Sequence, residues 1–246
     1  MKIFVITFLL AVSGCSNLTD PTSHLHDSSE KNRQNFDELV LATSKYWDSH
    51  ISNAGGKLRI DSDWESPIRN GYAKRESTDW ILQVHGGFYR HFATTNDGFL
   101  ALLCHEIGHH LGGAPFKANI SWMSQEGQAD YFAASYCLPK MWENADNSSF
   151  QQNTEVSQTL RAQCEVKFEN TEMADLCVRI GMAGFSFVEI NRIEHGYASE
   201  TSSVDFGTPS SAIAAIPTIY PRAQCRLDTF LAGATGNPRP RCWFIP

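Results

Sequence analysis

The chain has 246 residues, a formal net charge of −7 and 42% hydrophobic residues. Its acidity, with no basic stripe and no interleaving of aromatic with basic residues, excludes a nucleic-acid partner. No internal repeat is present and no second long apolar run follows the N-terminal one, so a single domain with one sizeable core is expected over residues 35–246.

In chain order, Met1-Lys2 supplies one positive charge, Ile3 to Val12 is almost wholly apolar, and Val12-Ser13-Gly14-Cys15 closes the run. A run this short does not span a bilayer and reads as a secretory signal over residues 1–14. The small residues before Cys15 resemble a bacterial lipobox, which implies lipid attachment at Cys15; the plainer alternative is a signal peptide with an incidental cysteine. Ser16, in place of aspartate, resembles the pattern sorted to the outer membrane of a Gram-negative cell, facing the periplasm. Residues 15–34 are polar, rich in Ser, Asp and His, and without apolar period, so they read as a tether that includes His24 and His26.

Phe36, Leu39, Val40, Tyr46, Trp47 and Ile51 follow helical spacing, and Gly55-Gly56 stops that helix. Leu58 and Ile60 alternate with polar residues, and Trp80 to Val84 is short and strand-like. Thr95 or Asn96 caps a helix through Phe99, Leu100, Leu103 and Ile107, ending at Gly112-Gly113. A second helix starts near Ser124 and stops before Pro139. The polar stretch from Glu143 to Thr154 reads as an exposed loop. Met173, Leu176, Cys177 and Ile180 predict another helix, loosened by Gly181 and Gly184. Residues 209–221 read as irregular and lead into a last helix near Arg222 to Ala232.

The chemistry concentrates in Cys104-His105-Glu106-Ile107-Gly108-His109-His110 and Glu126-Gly127-Gln128-Ala129-Asp130. Four residues apart on a helix, His105 and His109 project from one face and suit a single zinc ion. Glu106, one step round, reaches a water there and takes its proton. A third histidine ligand six residues after His109 is ruled out, because Pro115 holds that position. His110 points about 100° away from His109 and does not join the same site. Glu126 is then the best third ligand, and Asp130, one helical turn on, is placed to hold the remote nitrogen of a ligand histidine. The competing reading for Glu126 and Asp130 is a solvated helix face. His85 and His91 flank the Trp80–Val84 strand and read as ordinary polar residues. Besides Cys15 there are six cysteines: Cys104, Cys137, Cys164, Cys177, Cys225 and Cys242. In an exported chain they predict disulfides, with the pairing open.

These two segments resemble the gluzincin metallopeptidases related to the CAAX prenyl protease, in their soluble bacterial form. That family follows its H-E-x-x-H helix with a helix carrying E-x-x-x-D, which Glu126, Ala129 and Asp130 match. Nearer the C-terminus it carries a His-Pro pair with an arginine six residues after the histidine. Here Pro221 and Arg226 keep the spacing and Tyr220 replaces the histidine. The resemblance runs from about Trp80 to Ala234, is absent between about Met141 and Glu200, and excludes the family's intramembrane helices. It implies that Tyr220 donates to the oxyanion, unless its ring packs in the core, and that Arg226 pairs with Asp130, unless it lies on the surface. A strand beside the metal helix, for which Trp80–Val84 is the candidate, would pair with extended substrate.

The expected molecule is therefore an α+β protein with a single zincin-like domain. Its active-site helix and second ligand helix pack on a small mixed β-sheet. The expected activity is that of a zinc metalloendopeptidase of the cell envelope, with one zinc per chain, a lipid anchor, and unfolded or extended protein or peptide as substrate. The alternative is an envelope lipoprotein that keeps a zinc site but acts mainly in binding or assembly.

Overall fold

A computed structural model describes residues 33–153, 155–194, 203–213 and 220–246. The signal segment, Cys15, His195 and all of the tether but Arg33 and Gln34 lie outside the described residues. Arg33 and Gln34 belong to the first helix rather than to the tether. This helix, α1 (Arg33–Asn53), buries Phe36, Leu39, Thr43, Trp47 and Ile51, one stripe at helical spacing. It ends where Gly55 takes φ +91° and the Gly56 N–H bonds the Ile51 carbonyl, a left-handed C-terminal cap.

Three strands follow: β1 (Lys57–Asp63), β2 (Gly71–Glu76) and β3 (Asp79–His85). Their order in the sheet is β1-β3-β2, with β1 parallel and β2 antiparallel to β3. Two expectations change here. Trp80–Val84 lies in the central strand, paired on both sides, so it has no free edge to offer. Among the described residues the outer strands are β1 and β2, and the one that borders the cleft beside α3 is β2, a strand the sequence reading did not find. The physical signal was present: Trp80-Ile81-Leu82 is a continuous apolar run, as a strand covered on both faces requires. Lys74-Arg75-Glu76 carries the charges that suit an edge. Ser77, at φ +54°, makes the turn between β2 and β3.

Helix α2 (Gly86–Tyr89) leads to α3 (Asn96–Leu111), which lies against β2 and β3. Thr95 caps α3, its hydroxyl accepting from Gly98 N at 2.9 Å. A hairpin, β4 (Phe116–Lys117) and β5 (Ile120–Ser124), precedes α4 (Glu126–Phe132), the helix expected to begin near Ser124. A π-helical turn, Ala133–Cys137, joins α4 to α5 (Leu138–Met141). The segment expected to be an exposed loop contains α6 (Asn147–Asn153), with Asn147 and Phe150 buried. Asn147 is drawn in by Arg179 Nη1, which donates to its Oδ1 at 3.0 Å.

The remaining helices are α7 (Gln158–Lys167), α8 (Thr171–Glu194) and α9 (Ala223–Thr235). Gly181 and Gly184 do not loosen α8. A Cβ at either would stand under 3 Å from Leu160 or Phe230, so these glycines let α7 and α9 pack closely onto it. Helix α8 also backs α3. Arg179 makes two bonds to Asp97, at 2.9 and 3.2 Å, and Ser186 Oγ accepts from Thr95 N at 2.8 Å. Disulfides join Cys104 to Cys137, Cys164 to Cys177 and Cys225 to Cys242. The first ties α3 to the turn after α4, and the other two brace α7 to α8 and α9 to the C-terminal segment. The whole is a single α+β domain, as the sequence led us to expect.

Helices α3 and α4 meet at Gly108, where a Cβ would stand 2.8 Å from Ala129 O and 2.9 Å from Ala129 Cα. Those atoms are backbone and cannot swing aside. Gly108→Ala is expected to force the helices apart, with a loss of about 1–3 kcal/mol in denaturant titration. It should also weaken zinc binding, since His109 and Glu126 sit on opposite sides of that contact. Unchanged stability together with unchanged zinc affinity would show that the contact yields freely.

Candidate metal centre

His105 and His109 lie one turn apart on α3, and their rings are 4.6 Å apart, centroid to centroid. Each is held through its Nδ1. His105 Nδ1 donates to Asp130 Oδ1 at 2.8 Å, and His109 Nδ1 donates to the Ser124 carbonyl at 2.8 Å. A carbonyl oxygen only accepts, so His109 carries its hydrogen on Nδ1 and presents a lone pair at Nε2. Both Nε2 atoms turn toward Glu126, at 3.2 Å from its Oε2 for His105 and 3.7 Å from its Oε1 for His109. All three residues are buried, with ligand atoms within 4.8 Å of one another. Two imidazole nitrogens and one carboxylate, each oriented from behind, fit a divalent zinc ion with a position left over for water or substrate.

The orienting groups come from distant chain. Arg226 on α9 is buried and donates twice to Asp130, Nε to Oδ2 at 2.7 Å and Nη2 to Oδ1 at 2.8 Å. It is therefore no surface arginine. Its guanidinium and the His105 ring both rest on Phe187 of α8, at 4.7 and 5.2 Å. Thus α8, which lies wholly in the region where the family resemblance is absent, supplies a wall of the site. Ser124 is fixed in turn, its hydroxyl donating to the Gly113 carbonyl at 2.7 Å.

Glu106 is buried beside the cluster, and burial pushes its carboxyl up to about 7. Gly71 of β2 leaves it room, because a Cβ there would stand 3.2 Å from Glu106 Oε1. Burial opposes charge on both histidines, but unequally. At His105 the Asp130 and Glu126 carboxylates outweigh it and hold the ring at about 9. At His109 burial, with the charges of His105 and Lys117, brings the ring down to about 3. Desolvation alone would raise Glu126 and Asp130. The histidines lower Glu126, and Arg226 above all lowers Asp130.

The cleft over this cluster is lined by Gly71, Tyr72 and Ala73 of β2 with Asn70 just before it, and by Lys117, Met123, Asn191 and Tyr220. Tyr220 is 47% exposed, so it does not pack its ring in the core. Lys117, which the sequence reading passed over, stands 2.5 Å from Glu126 Oε1. The available signal was that it is the sole lysine or arginine between His109 and Glu126. His110 lies outside the cluster, stacked between Trp80 and Trp122, with its Nε2 donating to the Ile81 carbonyl at 3.3 Å. His91 pairs with Glu194 at 3.2 Å, and His85 is buried outside the cluster as well.

Comparison with protein-family models, with curated proteins and with solved structures returned no match.

Between pH 7 and 9 the His105 proton is the one that metal must displace, because His109 is neutral and Glu106 largely ionised over most of that window. Apparent zinc affinity is therefore expected to rise about tenfold per pH unit from 7 to 9, with roughly one proton released per ion. Calorimetry in buffers of differing ionisation enthalpy checks both. A pH-independent affinity over that window would place the proton elsewhere.

Proposed function

We propose that this chain is a zinc-dependent metalloendopeptidase of the bacterial cell envelope, allied to the gluzincins it resembles. The observation that carries the reading is Glu106, an ionisable carboxylate buried beside three oriented metal donors in a cleft walled by an open strand edge. A purely structural zinc site closes its fourth position and has no use for such a group.

His105, His109 and Glu126 would hold the ion, which when bound supplies a Lewis acid that polarises a carbonyl and acidifies water. Asp130 and Ser124 keep both ring hydrogens at Nδ1, so Nε2 is always the donor to the ion. Arg226 keeps Asp130 an anion and stops it from drifting. Glu106 takes a proton from the attacking water and returns it to the departing amine. Tyr220, a cleft residue whose hydroxyl can donate, serves as a hydrogen-bond donor to the oxyanion. The outer edge of β2 accepts an extended peptide as an added strand. Main-chain pairing is indifferent to sequence, and suits protein or peptide substrate in unfolded form.

Three disulfides are compatible with a location outside the cytoplasm, and among the described residues no helix is long and apolar enough to cross a membrane. The N-terminal residues support a finer placement, with Cys15 carrying the acyl chains that anchor the protein to the outer membrane, facing the periplasm. Mass spectrometry of protein recovered from its native envelope should find an acylated Cys15 at the N-terminus. A retained Met1, or an unmodified Cys15, contradicts the anchor.

The decisive test of the activity is Glu106→Gln. The variant should bind zinc like the wild type, because Glu106 is not a ligand. Its hydrolysis of an unfolded protein should fall by about 10²–10⁴, because an amide takes no proton. Wild-type turnover in the zinc-loaded variant, or hydrolysis that survives a chelator, would refute the mechanism.

A further inference from the structure

Lys117 is a charged residue of the cleft that neither metal binding nor proton transfer uses. It sits in β4 opposite Ile120, in the hairpin that links the two ligand helices. Its side chain is 29% exposed, and its Nζ stands 2.5 Å from Glu126 Oε1 and 5.8 Å from the Tyr220 ring centroid. An ammonium has three donors, and Glu126 engages one of them. The hairpin itself is well held. Gln125 N donates to the Pro115 carbonyl at 2.8 Å, and Gln125 Nε2 donates to the Phe116 carbonyl at 3.2 Å.

An ammonium here is costly once a divalent cation joins the same carboxylate, because like charges a few ångströms apart repel where the site is only partly open to water. A residue that only neutralised Glu126 would work against the metal. The repulsion is relieved when negative charge forms within reach of both cations. A peptide carbonyl is neutral in the ground state and anionic only after attack. We propose that Lys117 is a catalytic residue, an ammonium that pairs with the oxyanion of the tetrahedral intermediate beside Tyr220. This rests on the peptidase reading above. The water oxygen forms the new C–O bond as Glu106 takes its proton, and the carbonyl π pair moves onto the oxygen that Lys117 holds. When that pair returns, the C–N bond breaks and the amine leaves with the proton from Glu106. Lys117 thus binds the transition state more tightly than the substrate, which is the condition for raising kcat rather than lowering KM.

Lys117→Met and Lys117→Arg test this in the full mature protein. Three readouts are needed: zinc affinity by chelator competition, steady-state kinetics, and binding of a phosphinic peptide, an anionic tetrahedral mimic. Lys117→Met should bind zinc about tenfold more tightly, since a repulsion is removed. It should lose roughly 10²–10³ in kcat with KM changed by less than about threefold, and phosphinic-peptide affinity should fall in parallel. Lys117→Arg should recover part of both losses. Near-normal kcat and phosphinate binding in Lys117→Met overturn the assignment, and so does weakened zinc binding, which marks a clamp on Glu126. Zinc binding without any hydrolysis by the wild type overturns the peptidase reading and this one with it, whereas active wild type with equally active Lys117→Met overturns this one alone.

Discussion

The bidentate pairing of Arg226 with Asp130 is the constraint on which the rest of the site depends. Neither side chain reaches water, and a buried carboxylate without its partner is expensive. Removing one member of such a pair costs about 3–5 kcal/mol. Asp130 must therefore sit where Arg226 can grip both oxygens, and that fixes α4 against α9. The Oδ1 that accepts from Arg226 also accepts from His105 Nδ1, so the same pairing sets the ring of a candidate metal donor on α3. Three helices separated by up to 121 residues in sequence are registered by one carboxylate.

A carboxylate shared in this way is also electrostatically graded. Arg226 keeps Asp130 ionised, and Asp130 with Glu126 in turn raises the buried His105 ring to about 9, so this ring holds a second proton at neutral pH. His109 is kept uncharged by burial, since it faces a neutral carbonyl in place of a carboxylate that could offset that burial. The two histidines look equivalent in sequence, yet their back partners differ. One donor is made basic and the other is simply aimed. The supports follow the same division. Asp130 is anchored through α9, whereas Ser124 is anchored through the hairpin and Gly113. Gly108 then lets α3 and α4 approach closely enough for both sets to converge on Glu126.

What could be read from the sequence was whatever depends on spacing within one helix. His105, Glu106 and His109 show themselves because 3.6 residues per turn dictates which side chains share a face. Glu126 and Asp130 show themselves for the same reason. The α1 stripe and its Gly55-Gly56 stop were equally local. What failed was whatever depends on pairing between segments. Strand β2 has three charged residues in six, so its propensity is weak, and it exists because β3 supplies a hydrogen-bonding partner. Helix α6 owes its burial to Arg179, which lies 32 residues ahead of Asn147. Lys117 belongs to no spacing rule. It reaches Glu126 through a hairpin whose turn places Asn119 at φ +65°, a tertiary accident that no periodicity announces.

The correction to the sheet changes how the cleft works. Had Trp80–Val84 been the free edge, substrate would have lain beside a bulky apolar strand. With β2 outermost, the strand facing the cleft begins at Gly71, and a side chain there would press on Leu102 and on Glu106 Oε1. A residue that takes least space thus stands beside Glu106, the proposed general base, and on that proposal an added peptide strand could run past it without displacing the carboxylate. The charged end of β2 does a different job. Arg75 lies over Trp80 and Trp122, 3.4 and 4.7 Å from their ring centroids, and so ties the far end of the edge strand to the hairpin that carries Lys117. One end of β2 is kept bare beside the carboxylate. The other is clamped so that the bare end holds its distance from Glu106.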